Sequence, residues 1–141
     1  MVLKTKGLSF ILITLLAAGC GGSVELPDAE EAAPAPLGEA FELRLDQTQQ
    51  VEELAIRFVD VTEDSRCPPI VRCVWQGQVT IQLDVTKHGV DAGSFSLSTH
   101  FDAVANLDGY DINLTEVLPG PAPAGESIPT ADYIITLVVR R

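Results

Sequence analysis

The stretch Gln78-Val79-Thr80-Ile81-Gln82-Leu83-Asp84-Val85 alternates without a break, with Val79, Ile81, Leu83 and Val85 on one parity and polar residues on the other. Successive side chains of an extended strand point to opposite faces, so a period of two predicts a strand with one face in a core and one in water. The same period recurs on either side. Phe41, Leu43 and Leu45 alternate with Glu42, Arg44 and Asp46, and Leu54, Ile56 and Phe58 alternate with Ala55 and Arg57 before the apolar parity shifts to Val59 and Val61. A shift of parity inside a strand predicts a β-bulge or a crossing between sheets. After the cleanest strand, Lys87-His88-Gly89 reads as a turn. Phe95 and Leu97 mark a serine-rich strand through Ser94, Ser96 and Ser98, and Tyr110, Ile112 and Leu114 another, with a second parity shift to Val117. Tyr133 to Val139 is apolar on both parities and reads as a central strand covered on two sides. No window has a helical period, and His100 to Asp108 has room for one helical turn.

Short strands separated by Gly, Pro, Asn and Asp clusters predict an all-β domain over residues 40–141, a small antiparallel sandwich or barrel of six to seven strands. The immunoglobulin pattern is absent. That fold places a tryptophan between two distant cysteines, whereas here Trp75 follows both Cys67 and Cys73.

The first 19 residues have the three parts of a secretory signal peptide: Lys4 and Lys6, an apolar run from Leu8 to Leu16, and the small residues Ala17, Ala18 and Gly19 before Cys20. The apolar run is shorter than the roughly 20 residues that a spanning helix needs. Leu16-Ala17-Ala18-Gly19-Cys20 is similar to a lipobox, although its strongest form has leucine where Ala17 stands. Cleavage there makes Cys20 the lipid attachment residue, with a diacylglyceryl thioether and an N-terminal acyl chain. Two or more chains anchor stably where one alone is marginal. The expected location is therefore the bacterial cell envelope, at the outer membrane rather than the inner, with the domain in the periplasm or at the surface.

Residues 20–39 read as a flexible acidic tether: they hold three prolines and no aromatic residue, a composition that cannot offset its ordering entropy. The whole chain has a formal net charge of −11, and loss of Lys4 and Lys6 makes the mature protein still more acidic. This argues against nucleic acid as a partner and serves solubility.

The densest cluster of unusual residues runs from Asp64 to Gly77. With Cys20 consumed by lipid, Cys67 and Cys73 remain, and an even pair in an oxidising compartment predicts a disulfide. Pro68-Pro69 bends the intervening loop towards the short Cα separation such a bridge requires. No metal is expected, because the spacing matches no zinc template and His88 and His100 stand singly. The acidic trio Asp60, Glu63 and Asp64 lacks the regular oxygen spacing of calcium loops. Trp75 shares parity with Val79 and Ile81, which makes core packing one reading and a partner contact the other. Gly77 on that parity lets a ring or another backbone come close. Asp64 and Arg66 either pair with each other or face a ligand.

Asp64-Ser65-Arg66-Cys67-Pro68 followed by Cys73-Val74-Trp75-Gln76-Gly77 resembles a motif of small, functionally uncharacterised bacterial lipoproteins. A weaker match runs through Ile112 to Pro121 and Asp132 to Val139. Two departures stand out: Gln76 where that family often has alanine, and Gly120 where an aromatic is common. The resemblance implies an all-β lipoprotein and carries no activity with it.

No catalytic residue is assigned. The alternating serines beside His100 read as a polar sheet face, and no Gly-x-Ser-x-Gly elbow is present. No cofactor is expected, and the partners expected are membrane lipid, through Cys20, and another envelope protein. The expected function is a non-enzymatic binding module whose partner-facing residues are Asp64, Arg66 and Trp75, joined by Pro119 to Pro123. The alternatives are an inhibitor of a secreted hydrolase and a metal-handling or hydrolytic role around Asp64 and His100.

Overall fold

A computed structural model describes residues 33–141. The signal-peptide reading of residues 1–19 and Cys20 fall outside them. Eight strands follow one another: β1 (Ala40–Arg44), β2 (Thr48–Val51), β3 (Leu54–Asp64), β4 (Val79–Lys87), β5 (Val90–Ser98), β6 (Val104–Leu107), β7 (Tyr110–Leu118) and β8 (Ile134–Arg140). They form two antiparallel four-stranded sheets, β1-β8-β7-β6 and β2-β3-β4-β5. The chain is all-β and sandwich-like, and the two sheets do not close into a barrel.

The alternation seen in the sequence builds the core. Val79, Ile81, Leu83 and Val85 are fully buried on the inner face of β4, against Leu54, Ile56 and Phe58 of β3. The opposing sheet supplies Ile112, Leu114, Ile135 and Leu137, among others. The parity shifts are bulges. Register slips between Phe58 and Asp60 and between Val61 and Glu63 in β3, and between Leu114 and Glu116 in β7, so apolar side chains keep facing inward as the strands bend.

Three expectations need correction. The strands number eight rather than six or seven, because β2 and β6 are only four residues each and too short to display a period. His100 to Asp108 contains no helical turn. Val104–Leu107 is a strand paired with β7 through the turn Asp108-Gly109, where both residues have positive φ, 47° and 85°, the combination a tight two-residue hairpin requires. Finally, β8 is central, between β1 and β7, but of its outward-facing residues only Val138 is buried while Ile134 and Thr136 are partly exposed.

The end of the stretch read as tether lies on the domain. The backbone N–H of Ala35 donates to Gln50 O at 2.8 Å and that of Gly38 to Val139 O at 2.7 Å. Ala35 and Leu37 also pack on the core. The chain thus joins the sandwich beside β2, on the half next to the β2–β3 turn at Glu52. The described residues belong to one compact unit, which contains the entire buried cluster.

Candidate functional site

The opposite end of the sandwich carries the Asp64–Gly77 stretch. Beyond β3 and β4 the hairpin continues through Ser65 N to Gln78 O at 2.8 Å and Cys67 N to Gln76 O at 3.0 Å. Gly77 makes this close approach possible: its φ is 68°, and a Cβ there would sit 1.8 Å from the Ser65 carbonyl oxygen. Cys67 and Cys73 form a disulfide across a Cα separation of 6.0 Å. Between them Val71 N donates to Pro68 O at 3.1 Å, folding the tip into a turn.

Asp64 and Arg66 are brought together, and they are occupied. Arg66 Nε and Nη2 donate to Asp64 Oδ1 and Oδ2 at 2.9 and 2.6 Å, a bidentate pair. The Arg66 backbone N–H adds a bond to Oδ1 at 3.2 Å, and the Tyr133 hydroxyl donates to Oδ2 at 2.7 Å. Arg66 Nη1 donates to the carbonyls of Val117 and Pro119 at 3.3 and 2.8 Å. The side chains of Arg66 and Asp64 are 14 % and 18 % exposed. Asp64 ends a strand of one sheet, while Val117 and Tyr133 belong to or adjoin strands of the other. The cluster therefore clamps the two sheets together and holds the start of the 119–133 loop.

The electrostatics agree with a clamp. Burial raises the Asp64 pKa, but the hydrogen bonds from the Arg66 side chain, Tyr133 and the Arg66 backbone outweigh it and hold the carboxyl below its ordinary value. The bond to Asp64 raises Arg66. Burial, followed by the bond to Asp64, pushes Tyr133 up to about 12. An open groove of about 350 Å³ runs beside the clamp, walled by Glu63, Pro68 and the loop Ala122–Ile128.

Trp75 does not join this cluster. It lies outside β4, 52 % exposed, and stacks on Phe101 with ring centroids 6.2 Å apart. His100 meets Phe101 edge-on at 5.4 Å, and Gln76 Nε2 lies 2.9 Å from His100 Nε2. The core reading of Trp75 thus fails, since the left-handed turn at Gly77 breaks the strand parity on which it rested. Besides Phe101, itself 68 % exposed, the same hairpin carries apolar side chains in the open: Ile70 is 89 % exposed and Val74 105 %, with Val71 at 43 %. For Ile70 and Val71 the signal was present as apolar residues in a turn between two cysteines.

Among the described residues no three His, Cys, Asp or Glu side chains gather at metal-binding spacing. The Asp64 carboxylate already accepts four hydrogen bonds, which leaves it no free lone pair aimed at a ligand. Ser94 Oγ bonds Asp84 Oδ1 at 2.5 Å, and the buried Ser98 Oγ accepts from Phe101 N and Asp102 N. Neither serine faces His100 as a nucleophile faces its base.

Comparison with protein-family models, with curated proteins and with solved structures finds no match for this chain.

Proposed function

We propose that this protein is a lipid-anchored component of the bacterial cell envelope, held through acylated Cys20, whose sandwich acts as a non-enzymatic interaction module. The observation that carries the reading is the apolar tip of the β3–β4 hairpin. Large apolar side chains left in water on a loop stiffened by a disulfide and two prolines contribute little to folding, and stiffness lowers the ordering cost of binding. Within the expected partner surface, Trp75 belongs to that tip. Asp64, Arg66 and Pro119 act behind it, fixing the base of the hairpin against the other sheet. A disulfide-closed, proline-stiffened loop is also the shape with which an inhibitor enters a hydrolase cleft, and this is the second reading.

The test has two parts. Intact mass of the native protein should show acyl chains on Cys20, and Cys20→Ser should release the protein from membranes; a mature N-terminus without acyl mass defeats the anchor. A photo-crosslinking residue at Val74 should give a defined adduct in intact cells while one at Asp108 gives none. Equal labelling at both positions, or none at Val74, defeats the tip as the interaction surface.

A further inference from the structure

We infer that the tip of the β3–β4 hairpin, together with Phe101, inserts into the interfacial zone of the same bilayer that holds the acyl chains. This rests on the anchor reading of Cys20 and names what the tip engages. Three observations carry it.

The first is reach. The chain joins the domain beside β2, on the half of the sandwich away from the hairpin tip. The nine residues of β4 rise roughly 30 Å from one end to the other, and the hairpin carries its tip further out through the Ser65–Gln78 and Cys67–Gln76 pairs. Twelve residues lie between Cys20 and Ala33, and that stretch spans up to about 45 Å when extended. The chain between Cys20 and the described residues is therefore long enough for the domain to lean over and lower its far end onto the membrane that anchors it. Held at that distance, a tip of weak intrinsic lipid affinity meets the bilayer at high effective concentration.

The second is shape. Val74 and Ile70 protrude fully from the tip, and a protein partner would need a pocket shaped to receive them. A fluid interface needs no matching socket. Two copies meeting tip to tip would touch through only a few protruding atoms. The tip also carries the residue types of a membrane interface, an aromatic pair beside aliphatic prongs.

The third is charge. Twenty acids are spread through the chain, yet none lies between Ser65 and Leu83, where Arg66 and Arg72 stand. Arg66 is spent on Asp64. Arg72 is exposed at the apex and Asp102 is exposed beside Phe101, so the tip is locally near neutral while the rest of the surface is acidic. Insertion is then driven by apolar contact, into zwitterionic lipid, and anionic lipid does not strengthen it.

Trp75 is the single tryptophan of the chain, so its emission reports the tip alone. The mature protein, reconstituted in phosphatidylcholine vesicles with brominated acyl chains, should show blue-shifted, quenched emission. Val74→Asp and Ile70→Asp, both at fully open positions, should restore unquenched emission without lowering the melting temperature. An acylated, vesicle-bound sample whose Trp75 stays unquenched overturns the inference and leaves the anchor intact. If intact mass shows no acyl chains, the anchor reading fails separately, and residues 33–141 titrated with the same vesicles then decide the tip: quenching upholds its insertion and unchanged emission overturns it. A blue shift that tracks protein concentration without lipid also overturns it, in favour of a second copy.

Discussion

The two ends of the sandwich solve one problem differently. At each end the apolar space between the sheets must stop, and a tyrosine stops it by leaving its ring inside and passing its hydroxyl to a carboxylate of the other sheet. At the tight-turn end Tyr110 donates to Glu52 at 2.7 Å, a bond that raises its pKa, with Lys87 and Arg141 5.8 and 5.1 Å from its ring centroid. Lys87 also meets Asp108 at 3.1 Å and Glu53 at 3.7 Å. At the hairpin end Tyr133 and Asp64 do the same work with Arg66. The turns at the first end are short and charged. The second adds a long hairpin and the 119–133 loop, and leaves aliphatic and aromatic side chains in water. Closing a sandwich requires only what the first end has, so the surplus at the second is the part that folding does not explain.

The comparison breaks most sharply at glycine. Gly77→Ala adds a Cβ in contact with Ser65 backbone at a left-handed position, and should destabilise the fold by about 3 kcal/mol through overpacking and strain combined. Gly109→Ala at the other end meets nothing within 4 Å and should cost about 1 kcal/mol, from φ alone. Equal shifts in denaturant midpoint would mean that the hairpin base is not held as described.

Next come the arginines. Arg66→Ala leaves the partly buried Asp64 carboxylate with only the Tyr133 hydroxyl and a backbone N–H as donors, takes the guanidinium from two carbonyls, and should cost about 2 kcal/mol. Arg141→Ala, whose partner Glu52 is 3.6 Å away and whose side chain is 60 % exposed, should cost less than about 0.5 kcal/mol. The clamp also sets a pH dependence. Because the folded state holds the Asp64 pKa below its unfolded value of 3.8, the stabilisation is complete above that value and is lost as pH falls through the lower folded one. The melting-temperature gap between the native protein and Asp64→Asn should therefore be widest near neutrality and close on acidification below pH 3.8. A gap that stays constant down to the acid limit would remove the carboxylate from the clamp.

The smallest effect sharpens the contrast from the other side. Val74→Ser and Ile70→Ser should change stability by less than about 0.5 kcal/mol while removing whatever the tip binds. A large loss of melting temperature would make these residues structural.

Much of this was legible in the chain because it rests on short-range pattern. The period of two located β3, β4 and β7, and parity shifts after Phe58 and Leu114 located the bulges. Cysteine arithmetic found the Cys67–Cys73 disulfide. β2 was hidden because it is short and one of the two residues it buries is polar: beside Val51, Gln49 is 7 % exposed and satisfied by Ala33 O at 2.6 Å, an acceptor 16 residues away. β6 was hidden by its length, although Asp108-Gly109 marked its turn. The clamp could not be read at all, since Tyr133 lies 69 residues from Asp64 and only the packing of one sheet on the other brings them together. The exposure of Trp75 was missed for a related reason, because parity holds only while the backbone stays extended.

The hydrogen bonds of Ala35 and Gly38 have a mechanical consequence. One reaches β2 and the other β8, so tension arriving along the chain from its N-terminal side is divided between the two sheets before any of it falls on β1. Peeling β1 from β8 then cannot begin at a free end, because the strand is pinned just ahead of its first ladder bond.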